Sequence, residues 1–265
     1  MNGRTLHDAL LRVLTDAALR RAVLRADGLG SGGIGAEEAA VLRRSEPERI
    51  ERMARFMARH FYRERVVRLF ATTRALASRT ARDPLAALET QAFREAIEGA
   101  VLGSPETAEA VAALVEETLL RGDSDPRGNF PFWTDLVRYE GALFRVEAAP
   151  RNWRGGRESP TESTRPVRSP SSRVLELEWD LPTVLPLLQR GGTDSPIPPR
   201  TPTRLLVSCS PRGRVSVARC PDSLLRLLEA LDGKRTVPAL AAALEVDETG
   251  VARTLSQLRD LGAVG

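Results

Sequence analysis

Residues 150–172, PRNWRGGRESPTESTRPVRSPSS, carry no apolar period. They cut the chain into two parts that must each bury a core of their own. Proline, serine, glycine and arginine dominate the stretch, so it reads as a flexible linker. Residues 1–149 lie before it and 173–265 after it. In a chain of 265 residues both parts are long enough for a modest domain.

Residues 1–149 read as nearly all helix. Thr5 with Asp8 resembles a capping box, and Leu6, Leu10, Val13, Leu14 and Ala17 then fall on one helical face. Five glycines between Gly28 and Gly35 break that helix. Ala36 to Arg44 suits a short helix. Ser45 and Glu48 form a second capping box, followed by Ile50, Met53, Phe56/Met57 and Phe61 at helical spacing. Asp83-Pro84 and Ser104-Pro105 are cap-then-proline starts. The first precedes a stripe of Leu85, Leu88, Phe93 and Ile97, the second one of Val111, Leu114, Val115 and Leu119. Gly122 to Asn129 is a polar break. Pro131 then opens a helix with Trp133, Leu136, Val137, Glu140, Leu143 and Phe144. Six such helices predict a bundle.

After the linker, strands and helices alternate. Arg173 to Trp179 predicts a strand with Leu175, Leu177 and Trp179 on one face. A short helix follows over 181–189, then a proline-rich connection over 191–202. Thr203–Ser208 and Arg214–Arg219 predict a hairpin. Three helices close the chain, near 221–231, 237–244 and 248–261, with Gly233 stopping the first and Thr236 and Asp247 capping the others. The fold class expected is α+β: an all-helical bundle, then a small antiparallel sheet with a three-helix winged helix-turn-helix domain.

Composition narrows the function. Hydrophobic residues make up 42% and charged residues 28%, with no apolar run near the ~20 residues of a membrane span. The opening segment carries Asp8 and Asp16 and does not suit a signal peptide, so a cytosolic protein is expected. A pI near 9.8 invites a nucleic-acid reading. However, residues 1–149 balance 22 arginines against 22 acids, and 173–265 balance 12 basic residues against 11 acidic. Most of the excess sits in 150–172, with 5 arginines against 2 acids, where a solvated linker or a clamp for an acidic peptide both fit. The register expected for the hairpin pairs Cys209 with Val215 and Cys220 with Arg204. That keeps the sulfurs ~16 Å apart at ~3.3 Å per residue, too far for a disulfide.

Catalytic chemistry is sparse. His7 and His60 are isolated. His60 and Glu64 share a helix face at i,i+4, with no third ligand nearby. No G-x-S-x-G, H-E-x-x-H, C-x-x-C or phosphate-loop pattern occurs. The glycine run 30–35 joins two helices rather than following a strand.

Two stretches carry a family likeness. The strands 203–219, then Leu231-Asp232-Gly233-Lys234-Arg235-Thr236-Val237, Val246-Asp247, Val251, Leu255, Leu258, Leu261 and Gly262, resemble the recognition element of ribosomally made, post-translationally modified peptide pathways. The peptide chaperone of pyrroloquinoline-quinone synthesis typifies that family. The resemblance implies that a precursor's leader segment adds as a strand, by β-augmentation. It would lie between the docking strand, Val215, Ser216, Val217, Ala218 and Arg219, and the third helix, at Val251, Thr254, Leu255 and Leu258. The segments LHDALLRVLTDAALRRAVL, SEPERIERMARFMARH and NFPFWTDLVRYEGALFR resemble partner subunits of multinuclear non-heme iron-dependent oxidative enzymes, such as the partner in methanobactin synthesis. That likeness implies no cofactor in this chain, with iron in a TIM-barrel oxidase bound as a heterodimer. Trp133, Arg138, Tyr139 and Glu140 are the candidate contacts. Aromatics at these positions serve a bundle core equally well.

The function expected is therefore a non-catalytic accessory protein of peptide biosynthesis. The rival is a DNA-binding regulator, since regulators share the winged helix-turn-helix. Against it, Arg253, Gln257 and Arg259 on the third helix are set against Asp247, Glu248 and Asp260, a near-neutral reading surface.

Overall fold

Side-chain caps decide where many of the helices in the first half begin. The computed structural model describes residues 3–25, 33–121, 130–147, 165–170, 172–191, 199–210 and 212–265. Its contacts divide into two units, Met1–Arg121 and Gly122–Gly265. In the first unit, α1 (Gly3–Thr15) and α2 (Ala17–Leu24) are two helices where the apolar face predicts one. Asp16 breaks them: its backbone is extended and its carboxylate accepts the Leu19 N–H at 2.9 Å. Thr5 lies inside α1 and does not begin that helix. Ser45 does not cap forward either. It ends α3 (Ala36–Arg44), donating its hydroxyl to the Val41 carbonyl, while Glu46 precedes α4 (Pro47–Leu69).

The buried stripe of α4 differs from the one its large residues predict. Ile50, Ala54, Ala58, Tyr62 and Val66 are buried. Met53 and Phe56 are 52% and 71% exposed. Alanine at 54 and 58 lets neighbouring elements approach the α4 backbone closely, so the small residues face inward. Beyond α4 come two short helices, α5 (Ala71–Ala75) and α6 (Ala77–Thr80). The helix expected through 85–97 is a 3-10 turn (Pro84–Glu89) and then α7 (Gln91–Glu98). The Thr90 hydroxyl accepts the Phe93 N–H at 3.2 Å and restarts the coil. Asp83 and Ser104 cap as the sequence predicts, and Ser104 opens α8 (Pro105–Leu120). Buried Arg82 reaches the far end of α8, donating to the Leu119 carbonyl at 2.9 Å and to the Arg121 carbonyl. These are acceptors that a helix end leaves open.

The second unit begins with α9 (Trp133–Glu147). A sheet of β1 (Arg173–Leu177), β2 (Thr203–Cys209) and β3 (Val215–Arg219) follows, ordered β1-β2-β3 and antiparallel throughout. Arg173 pairs with Val207 and Leu177 with Thr203. Leu205 pairs with Arg219 and Cys209 with Val215. The hairpin register is the one expected, and both cysteines are free thiols. α10 (Leu181–Gly191) links β1 to β2, and α11 (Asp222–Ala230), α12 (Val237–Leu244) and α13 (Glu248–Asp260) complete the unit.

Each face of the sheet is covered. On one face, Ala142 and Val146 of α9 pack on Val207, with Leu175, Val215 and Val217 against them. On the other, Leu206 and Val174 join a core with Leu228, Leu240, Val251, Leu255 and Leu258. The alternation of side chains along a strand separates the two sets. Helix α9 therefore belongs with the sheet, not with the first 121 residues. The division falls at Gly122 rather than at residue 150, because one face of a three-stranded sheet needs a cover and α9 supplies it.

Part of the expected linker is also structured. The Arg168 N–H donates to the Leu231 carbonyl at 3.2 Å, Ser169 to Ala263 at 2.9 Å, and Gly233 to Pro166 at 3.2 Å. These bonds strap 166–169 across the turn after α11 and the chain's last residues. The expected linker over 150–164, the polar break over 122–129, most of the glycine break before Gly33 and residues 192–198 of the proline-rich connection lie outside the described residues.

One carboxylate locks α9 to the sheet. Asp135 is buried, and its Oδ2 accepts the N–H of Glu178 at 2.6 Å and of Trp179 at 2.9 Å. Burial pushes its pKa up, and the two N–H donors offset this only in part. Asp135→Ala orphans two backbone donors and should cost about 2–4 kcal/mol in urea unfolding. Asp135→Asn keeps an acceptor and should cost less. A carboxyl whose pKa is raised by folding ionises more readily when unfolded. Wild-type stability relative to the Asn variant should therefore fall as pH rises from below the ordinary aspartate value through the raised one. Parallel pH profiles of the two proteins would contradict this.

Candidate functional site

The outer edge of β3 is the opening of interest. The Cys220 N–H donates to the Arg204 carbonyl at 2.8 Å, and the Ser210 N–H to the Arg214 carbonyl at 2.9 Å. With the register, these bonds turn the backbone groups of 214, 216, 218 and 220 toward β2. Strand alternation then turns those of Val215, Val217 and Arg219 outward. Among the described residues no strand pairs with that edge. Three residues there offer N–H and C=O groups to an incoming strand.

At the Arg219 end of this edge lies a groove of about 520 Å³. Leu224 and Leu227 of α11, Leu244 and Val246 around the α12–α13 turn, and Gly250, Val251 and Thr254 of α13 line it, with Arg219 and Arg226 at its margin. Val246 is 50% exposed, a large apolar side chain left in water on the groove wall. Asp247 caps α13 by accepting the Gly250 N–H at 2.9 Å. A methyl group added at Gly250 would meet only the Asp247 carboxylate, at 3.8 Å, so the helix backbone stands open to the groove.

The structure distributes the sequence-predicted residues unevenly. Arg219, Val251 and Thr254 come together in the groove. Ser216 and Ala218 are half-buried on the α11–α13 side of the sheet. Val215 and Val217 point their side chains at the α9 cluster and offer only backbone to the edge. Leu255 and Leu258 present no surface: they are 0% and 3% exposed and belong to the core. The spacing of 251, 255 and 258 puts all three on the inward face of α13, and only Val251, one turn in, reaches the groove. Leu224, Leu244, Val246, Gly250 and Arg226 are additions to the predicted set. Val246, outside the apolar repeats of α12 and α13, was the available signal.

Electrostatics holds the edge strand's end in place. The guanidinium of Arg219 donates to Asp180 Oδ2 at 2.6 Å, and the Thr183 hydroxyl donates to the same oxygen at 2.8 Å. Burial alone would push the Asp180 carboxyl up, but these bonds outweigh it and hold it below the usual aspartate value. On the central strand, Arg204 bridges Glu176 at 3.1 Å and Asp222 at 2.6 Å, tying β1, β2 and the start of α11.

Two of the four predicted partner contacts on α9 are interior. Trp133 and Glu140 are buried, so neither presents a surface for another protein. Arg138 is exposed and Tyr139 half-buried, its phenol pushed up by burial and by the neighbouring Glu140. Among the described residues, no three His, Cys, Asp or Glu side chains come together as a metal centre requires. Nor is any helix there long and apolar enough to cross a membrane. No protein-family model and no curated protein matches the sequence.

Proposed function

We propose that this chain is a non-catalytic accessory protein of peptide biosynthesis. It captures the leader of a precursor peptide and delivers the peptide to a separate iron-dependent oxidative enzyme. The observation that carries this reading is the unpaired β3 edge, with outward backbone groups at Val215, Val217 and Arg219 and an apolar groove at its end. An extended guest adds to that edge by backbone hydrogen bonds, and the groove takes one of its side chains. In this reading 173–265 is a winged helix-turn-helix recognition domain and the helical half holds the enzyme. Tethering raises the local concentration of the modifiable segment at the iron site without adding a reactive group here.

The test is fluorescence anisotropy with labelled leader peptides of candidate precursors. Binding in the nanomolar to micromolar range, weakly dependent on salt, is the expected result. No binding to the leader, together with affinity for duplex DNA that falls steeply with salt, would hand the site to the DNA-binding alternative.

A further inference from the structure

The exposed face of α4 is an anomaly that the proposed peptide site does not absorb. Phe56 is 71% exposed and lies parallel to the exposed His60 ring, with centroids 6.2 Å apart. Met53, one turn earlier, is 52% exposed. Beside Phe56 is a hollow of about 310 Å³ between α4, the 3-10 turn and α7. Its apolar floor is Leu88, Phe93 and Ile97, and around it stand three arginines, Arg55, Arg59 and Arg94, and one acid, Glu98. The helix carries seven arginines against three glutamates. Glu89 already accepts from Arg59 at 2.8–2.9 Å, whereas Arg55 has no ion pair among the described residues.

The geometry points to this hollow as the seat of the partner enzyme, filled by an apolar side chain that projects from an acidic patch of that enzyme. Exposed aromatic and methionine side chains ringed by arginine have the composition of an interface core. With three arginines against Glu98, and only Arg59 engaged by Glu89, the rim keeps a positive excess that selects a negative partner surface and disfavours a second copy of the same face. A membrane would leave the concave floor unfilled, while a projecting side chain fills it. The inference rests on the proposed partnership and relocates its contact from α9 to α4.

The experiment measures affinity of the full chain for a purified TIM-barrel iron oxidase of the proposed partner class by calorimetry, with thermal melts confirming that each variant folds. Phe56→Ala and Arg55→Glu alter exposed side chains and should each weaken the complex about 10-fold or more. Arg138→Glu on α9 should leave it within about 2-fold. If Phe56→Ala and Arg55→Glu bind as the wild type does, the α4 surface is not the seat. If only Arg138→Glu weakens the complex, the contact is on α9. If the wild type itself forms no complex, the partnership fails and this inference with it. Phosphatidylserine vesicles and single-stranded oligothymidine serve as separate probes. Phe56-dependent binding to either, with enzyme affinity insensitive to Phe56→Ala, would also overturn it.

Discussion

Val217→Pro is expected to weaken leader binding by roughly 10- to 100-fold while the protein stays folded. The Val217 N–H faces outward and gives nothing to β2, so proline removes a donor that no described residue uses and that a guest strand would take. Proline is tolerated on an edge strand at such positions. Losing that bond, and blocking the next with the ring, removes about 2 kcal/mol at ~1 kcal/mol each, or roughly 30-fold. Ala218→Pro is the informative contrast. Its N–H turns toward β2, so proline there should break the hairpin and lower the melting temperature. Anisotropy titrations and thermal melts on both variants separate the two cases. A Val217→Pro protein that binds the leader as tightly as the wild type would remove strand addition at this edge.

Gly262→Ala should destabilise the second unit by about 3 kcal/mol or more. Gly262 has φ of +73°, where a side chain is strained. A methyl group there would strike the Cys209 carbonyl oxygen, with the carbonyl carbon at 2.7 Å and the Ser210 Cα at 2.9 Å. These are backbone atoms at the end of β2 and cannot swing aside. The close approach lets the turn after α13 seat Ala263 and Val264 in the core. Chemical denaturation reads the loss directly, and an unchanged midpoint would mean that this turn does not touch β2.

Period and capping carry local structure and were legible in part: Thr236 precedes α12 without a side-chain cap bond, Ser45 ends a helix instead of starting one, and the breaks at Asp16 and Thr90 lie inside apolar stripes that read as continuous. The hairpin register and the Asp83, Ser104 and Asp247 caps follow from nearest neighbours along the chain. What a face packs against does not. Helix α9 shows a buried stripe, yet its sequence does not say whether a helix or a sheet covers it. On α4 a size rule favours Met53 and Phe56, while close packing favours Ala54 and Ala58. The strap at 166–169 pairs through backbone groups, which any residue type supplies. The site was half legible for the same reason: the edge strand could be named, whereas the groove gathers residues from three helices and the turn between two of them.

The two sides of β3 have a practical bearing on how recognition would be mapped. Val215 and Val217 show their amides to the edge while their side chains rest on α9. Truncating either to alanine would loosen packing behind the sheet and leave the row of peptide groups in front intact. A conventional scan along this strand would thus register melting temperature and stay deaf to a docked ligand. Only chemistry that alters the main chain itself, such as an ester or N-methyl replacement at 217, would hear it.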